Sequence, residues 1–129
     1  MARRVLIVDD SATARMLIRR CVEIAGWADA EMKEAANGKE ALNTLASWKA
    51  DLVLSDLNMP EMDGEELLKA VRSDDSLRRV PLIVITSAGN EPKEAQLRRD
   101  GATAILGKPI SPAVIADIIE KIFGDSDEY

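Results

Sequence analysis

The sequence predicts an α/β fold in which helices cover both faces of one parallel sheet. Three observations point there. Short apolar runs of four or five residues (VLIV, LVLS, LIVIT, TAIL) lack the polar alternation of a half-exposed strand, so they read as strands buried on both faces. Amphipathic segments of helical period stand between them. The strand–helix unit recurs five times at about 25 residues each, and such alternation implies right-handed crossovers between parallel strands.

The first strand is VLIV, residues 5–8. Ser11 to about Ala25 follows with helical spacing at Leu17, Cys21 and Ile24, with Ile18 and Val22 beside them, and Gly26 ends it. The second strand, EMKEA at 31–35, alternates and is more polar, which suits a sheet edge. Asn37-Gly38 opens a helix carrying Ala41, Leu42, Leu45 and Trp48. LVLS, 52–55, is the third strand, and Gly64 to about Ser73 is a helix with Leu67, Leu68 and Val71 on one face. Pro81 introduces the fourth strand, LIVIT at 82–86. The helix near 91–99 has few apolar anchors beyond Ala95 and Leu97. TAIL, 103–106, is the fifth strand. The last helix starts after Ser111 with Pro112 in its first turn, a favoured place for proline. Trp27 and Trp48, both after helix ends, are expected to cap the core.

Composition excludes several functions. The chain has 129 residues, a net charge of -6 and arginine pairs interleaved with acids, so it lacks the basic stripe that nucleic acid requires. No apolar run approaches the ~20 residues of a membrane span, and the N-terminus shows no signal peptide, so a cytoplasmic location is expected. One cysteine, Cys21, cannot form an internal disulfide and reads as a buried filler. There is no histidine, which removes imidazole acid–base chemistry, Ser-His-Asp hydrolysis and histidine-ligated zinc.

What remains is concentrated at strand ends. The first strand ends in Asp9-Asp10, the third in Asp56 and the fourth in Thr86-Ser87, while Lys108-Pro109 follows the fifth. Open parallel sheets bind ligands at the carboxyl ends of their strands, so neighbouring strands would bring these groups around one crevice. Two carboxylates ~5 Å apart repel by about 3 kcal/mol at an effective dielectric near 20. A compensating cation is therefore expected, and hard oxygen ligands that leave room for water and phosphate suit Mg²⁺. A carboxylate nucleophile, a divalent metal, a lysine and a hydroxyl are the parts needed to form an aspartyl phosphate.

The motifs IVDDSATARML, VLSDLNMPEMDGEELL, VITSAGN and ILGKPIS resemble the receiver domain of two-component response regulators, in order, spacing and strand-end position. DLNMPEMDG in particular resembles the stand-alone chemotaxis receivers of the CheY type. The resemblance implies a flavodoxin-like (βα)5 fold, strand order 2-1-3-4-5, with a receiver domain over 1–124 and an acidic tail at 125–129. It implies that Asp56 accepts a phosphoryl group from a sensor histidine kinase. Asp10, Asp56 and the backbone carbonyl of Asn58 would hold Mg²⁺, with Asp9 acting partly through water. Lys108 would contact one phosphoryl oxygen and Thr86 would swing in to another. A cis Lys108-Pro109 bond is common in the family. The family often carries Tyr or Phe three residues before the lysine; here Ile105 stands there. The switch is thus expected to run through a smaller side chain, or mostly through Thr86 and backbone shifts.

The implied partners are the kinase and an effector protein, the latter on the face formed by helix 4, strand 5 and helix 5, with the chain a monomer or weak dimer. Chemotaxis or motility is the pathway suggested. Two rivals keep part of the site. A small-molecule aspartyl phosphatase would often place a second Asp two residues after the nucleophile, where Asn58 stands. A phosphate sink without an effector would retain the whole site.

Overall fold

The computed structural model describes residues 3–87 and 91–124. Ala88, Gly89 and Asn90 of the VITSAGN motif and the tail at 125–129 lie outside the described residues. Ten elements alternate: β1 (Arg4–Val8), α1 (Ala12–Val22), β2 (Glu31–Ala35), α2 (Gly38–Leu45), β3 (Leu52–Asp56), α3 (Gly64–Ser73), β4 (Leu82–Thr86), α4 (Glu91–Arg99), β5 (Ala104–Gly107) and α5 (Pro112–Phe123). The strands form one parallel sheet in the order β2-β1-β3-β4-β5, the flavodoxin-like arrangement.

Each central strand carries a continuous apolar run because each of its faces is covered. Leu6, Val8, Val53 and Val84 point to the side covered by α2, α3 and Leu97 of α4. Val5, Ile7, Leu54 and Ile85 point to the other, where Ile18 and Val22 of α1 meet Ile115 and Ile119 of α5. Burying each such aliphatic side chain contributes about 1.5–3 kcal/mol. Ser11, Asn37, Asp63 and Ser111 cap the N-termini of α1, α2, α3 and α5 through their side-chain oxygens.

Three local expectations are corrected. The buried stripe of α1 is Ile18, Cys21 and Val22, whereas Leu17 and Ile24 are 60% and 63% exposed. The α-helix stops at Val22 and runs into a wider π-helical turn, Glu23–Trp27, in which Gly26 takes φ 120°. That wider turn carries Trp27 to Phe123, with ring centroids 5.1 Å apart. On α4, Ala95 is exposed and Leu97 is the buried residue. Finally, β5 begins at Ala104, because Thr103 is occupied in the preceding loop, where its hydroxyl accepts the Leu82 N–H at 3.0 Å. Cys21 and Trp48 are buried as expected.

Candidate metal and phosphoryl site

Register assembles the site. Val8 pairs with Ser55, Asp56 with Ile85, and Thr86 with Gly107. Asp9 and Asp56 therefore emerge side by side, and Thr86 and Lys108 emerge at the same edge on the next two strands. The main chain continues this ladder: Leu57 N–H donates to Ile85 C=O at 2.9 Å and Lys108 N–H to Thr86 C=O at 2.9 Å.

The three carboxylates of Asp9, Asp10 and Asp56 present oxygens that all lie within 4.8 Å of one another. Asp9 is 1% exposed, Asp56 is buried and Asp10 is open to solvent. The Lys108 ammonium stands 2.9 Å from Asp56 Oδ1 and 3.8 Å from Asp9 Oδ2. The Lys108–Pro109 peptide is cis. Burial works against the Lys108 charge, but the hydrogen bond to Asp56 and the surrounding carboxylates outweigh it and raise its pKa. Asp9 is raised as well. Burial is the main cause, and the charges of Asp56 and Asp10 add to it; the Ser11 N–H and Lys108 oppose it.

The decisive atom is Asp9 Oδ2, which is buried with no hydrogen-bond partner among the described residues. An ionised oxygen in that condition, flanked by two further carboxylates, has the coordination demand of a hard divalent cation. The residues present therefore fit Mg²⁺.

The loop after Asp56 is clamped closely. Gly64 N–H donates to Leu57 C=O at 2.8 Å, and a Cβ on Gly64 would collide with the Asp56 carbonyl and stand 2.9 Å from Leu57 Cα. Only glycine allows α3 to start this near Asp56. Gly38 N–H of α2 donates to Met62 C=O at 2.9 Å, fixing the far side of the same loop. Asn58 lies exposed in that loop, two residues after Asp56. With Leu57, Thr86, Ser87, Lys93 and Leu97 it borders a cavity of about 200 Å³ beneath α4. Thr86 is buried at the end of β4, and Ile105, half-buried on β5, packs against the core on the α3–α4 side.

The family of the response regulator receiver domain matches residues 5–120. This chain belongs to the receiver family. The receiver is 34% identical to the chemotaxis protein CheY1 of Helicobacter pylori over 125 residues, covering 96% of this chain and 99% of that one. It is 33% identical to the polar-differentiation response regulator DivK of Brucella anthropi, covering 98% and 100%. Its fold matches the solved structure of the Vibrio cholerae chemotaxis protein CheY4 with a TM-score of 0.84 at 32% identity, covering 95% and 99% of the two chains.

Sequence reasoning selected the acids, Lys108, Thr86 and Asn58, and the fold brings them to one edge. It missed Arg15, whose Nη1 donates to the main-chain carbonyl of Asp9 at 2.7 Å. The signal was present only as an arginine one turn into the helix that follows Asp9-Asp10, a pattern shared with many solvated helices.

Proposed function

We propose that the receiver accepts a phosphoryl group on Asp56 from the phosphohistidine of a sensor kinase and thereby switches its affinity for an effector protein. The reading rests above all on the convergence of three carboxylates and one ammonium around a buried oxygen that accepts no hydrogen bond from the described residues. Asp9, Asp10, Asp56 and the Asn58 carbonyl would hold Mg²⁺. When bound, that ion supplies positive charge to the phosphoryl oxygens. An Asp56 oxygen attacks phosphorus, the P–N bond to the donor imidazole breaks, and the imidazole leaves with a proton from solvent. The donor histidine must lie outside this sequence, which has none. Lys108 loses its hold on Asp56 Oδ1 as that oxygen is esterified and turns to a phosphoryl oxygen.

A groove of about 560 Å³ beside the site, lined by Leu17, Cys21, Lys108, Pro109 and Ile110, supports approach of the donor over α1. The exposed Leu17 stands on its wall. The effector face is assigned to α4, β5 and α5. Leu97 is the one buried residue of α4, so this helix is the least anchored, and the cavity beneath it gives Thr86 and Ser87 room to move. With Ile105 in place of an aromatic ring, the signal runs mainly through Thr86 and the position of α4. The domain is assigned to residues 1–124, with 125–129 as an acidic tail, acting in the cytoplasm as a monomer or weak dimer without nucleic acid. Chemotaxis is one of the two settings named by the relatives.

The test is labelling by acetyl phosphate with Mg²⁺. The parent chain should label at one group per chain, and Asp56→Asn should remain folded and take no label. Full labelling of the Asp56→Asn chain would reject Asp56 as the acceptor. In parallel, beryllofluoride with Mg²⁺ should shift amide signals at Thr86, Ile105 and α4, and unchanged spectra at saturation would reject the switch.

A further inference from the structure

Asp9 is held from behind by an arginine that touches none of the reacting groups. Its N–H donates to Ala35 C=O at 3.0 Å and its Oδ1 accepts the Ser11 N–H at 2.9 Å. Its carbonyl accepts Arg15 Nη1 at 2.7 Å. Only Oδ2 is left, and that is the oxygen turned toward Lys108. The paired register of β1 with β3 ends at Val8–Ser55, so the guanidinium takes the Asp9 carbonyl one residue beyond it. That carbonyl and the Asp10 N–H belong to one planar peptide unit. Fixing its oxygen fixes the plane from which the Asp9 and Asp10 side chains both project.

Arg15 is itself oriented. Its Nε donates to Glu34 Oε1 at 2.8 Å, and Glu34 Oε2 accepts Arg19 Nη2 at 3.0 Å. The Arg15 bond, followed by Arg19, holds the Glu34 carboxyl below its ordinary pKa despite some burial. The Arg15 side chain is only 18% exposed, unlike a solvated surface arginine. The planar fork of arginine suits this double duty, with one edge on a carboxylate and the other on a carbonyl.

We propose that Arg15, steered by Glu34 on β2, is a positioning residue for the Asp9–Asp10 pair and sets the affinity of the acid cluster for its divalent cation. The inference rests on the cluster being a Mg²⁺ site. A merely electrostatic role predicts the opposite sign, since removing a positive charge near three carboxylates would tighten cation binding.

The experiment is calorimetric titration of the full chain with MgCl₂ at constant ionic strength, comparing the parent with Arg15→Met, Arg15→Lys and Glu34→Gln. Outer-shell partners of metal ligands typically contribute on the order of 10-fold or more to affinity, so Arg15→Met should weaken Mg²⁺ binding by about 10-fold. Arg15→Lys should recover part of the loss, because an ammonium reaches the carbonyl but cannot also form the fork to Glu34. Glu34→Gln should weaken binding less than Arg15→Met. At saturating Mg²⁺, Arg15→Met should label with acetyl phosphate at a rate within about twofold of the parent, the split expected of a group that acts on affinity alone. Unchanged or tighter Mg²⁺ binding by Arg15→Met overturns the proposal. Should that variant fail to fold, Glu34→Gln decides by the same criterion. A parent chain that takes up no Mg²⁺ would instead remove the metal-site reading itself, and this proposal with it.

Discussion

At the amino end of the sheet, the Arg72 guanidinium donates to the carbonyls of Gly101 at 2.9 Å, Val80 at 2.8 Å and Arg78 at 3.2 Å, and to the Thr103 hydroxyl at 3.4 Å. At the carboxyl end, the Lys108 ammonium faces more acid than it can neutralise, and one buried Asp9 oxygen has no donor. Both cations sit where loops meet strand ends. The first is matched by neutral acceptors and ties two loops to α3. The second is set among repelling charges whose completion must come from outside. A matched, half-buried cation is a device for stability, whereas an unmatched acid cluster gives up stability to keep a binding site open.

Breaking the matched end should produce the largest change in folding. Arg72→Ala strands the Gly101 and Val80 carbonyls and removes the side chain that packs 2.9–3.1 Å from where a Gly101 Cβ would stand. Urea unfolding should show a loss of about 2–3 kcal/mol, with Mg²⁺ affinity unchanged. A concurrent loss of Mg²⁺ affinity would mean that the two ends are coupled.

Relieving the unmatched end should act in the opposite direction. Asp9→Asn keeps an oxygen for the Ser11 N–H and removes the buried charge, so the metal-free protein should gain about 1–3 kcal/mol. Mg²⁺ binding should weaken on the order of 10-fold or more. A destabilised metal-free variant would show that Asp9 is matched by something else. The pH dependence follows from the raised Asp9 pKa. Above its ordinary value of 3.8 the folded chain holds the proton longer than the unfolded one. Its contribution to stability therefore falls as pH rises above that value, and the full cost is present once the folded carboxyl has ionised. The gain from Asp9→Asn should accordingly grow as pH rises above about 4 and vanish on acidification.

Supplying the missing partner is a gentler intervention. Mg²⁺ at ten times its dissociation constant should stabilise the parent by about 1.4 kcal/mol, read as a rise in Tm. The smallest effect is expected at Glu65, a matched carboxylate on α3: Lys93 Nζ and Gln96 Nε2 approach its two oxygens at 2.7 and 2.6 Å, and its pKa is lowered chiefly by the Lys93 bond. Lys93→Met should leave global stability nearly unchanged, since exposed pairs contribute little. It should nevertheless speed amide exchange in α4, and unchanged exchange would show that Leu97 alone holds that helix.

The sequence made the strands legible because burial on both faces leaves continuous aliphatic runs, and β2 and β4 have the predicted bounds. The acids and Lys108 were legible because charge at the end of such a run has few structural uses. What escaped were contacts made across the fold. Leu17 and Ile24 fit the α1 period as well as Ile18 and Val22 do, and only the docking against the sheet, with the wider turn after Val22, decides which stripe is buried. Thr103 looks like the first residue of an apolar strand until its hydroxyl is seen to serve Leu82. Arg15 and Arg72 both give hydrogen bonds to main-chain carbonyls, and no residue type in the sequence marks a carbonyl that needs a donor.

Trp27 lies under Arg3 and against Phe123, and Trp48 lies beneath Arg4 and Lys33, so both indoles belong to the region where β1 begins. From Arg4 to Asp9 the strand advances roughly 16 Å, beyond the reach of a contact quencher. Native fluorescence in this protein therefore follows the melting of the fold and stays silent on occupancy of the acid pocket. Folding and ligation become separable optical channels, and a single indole placed at Leu57 would open the second.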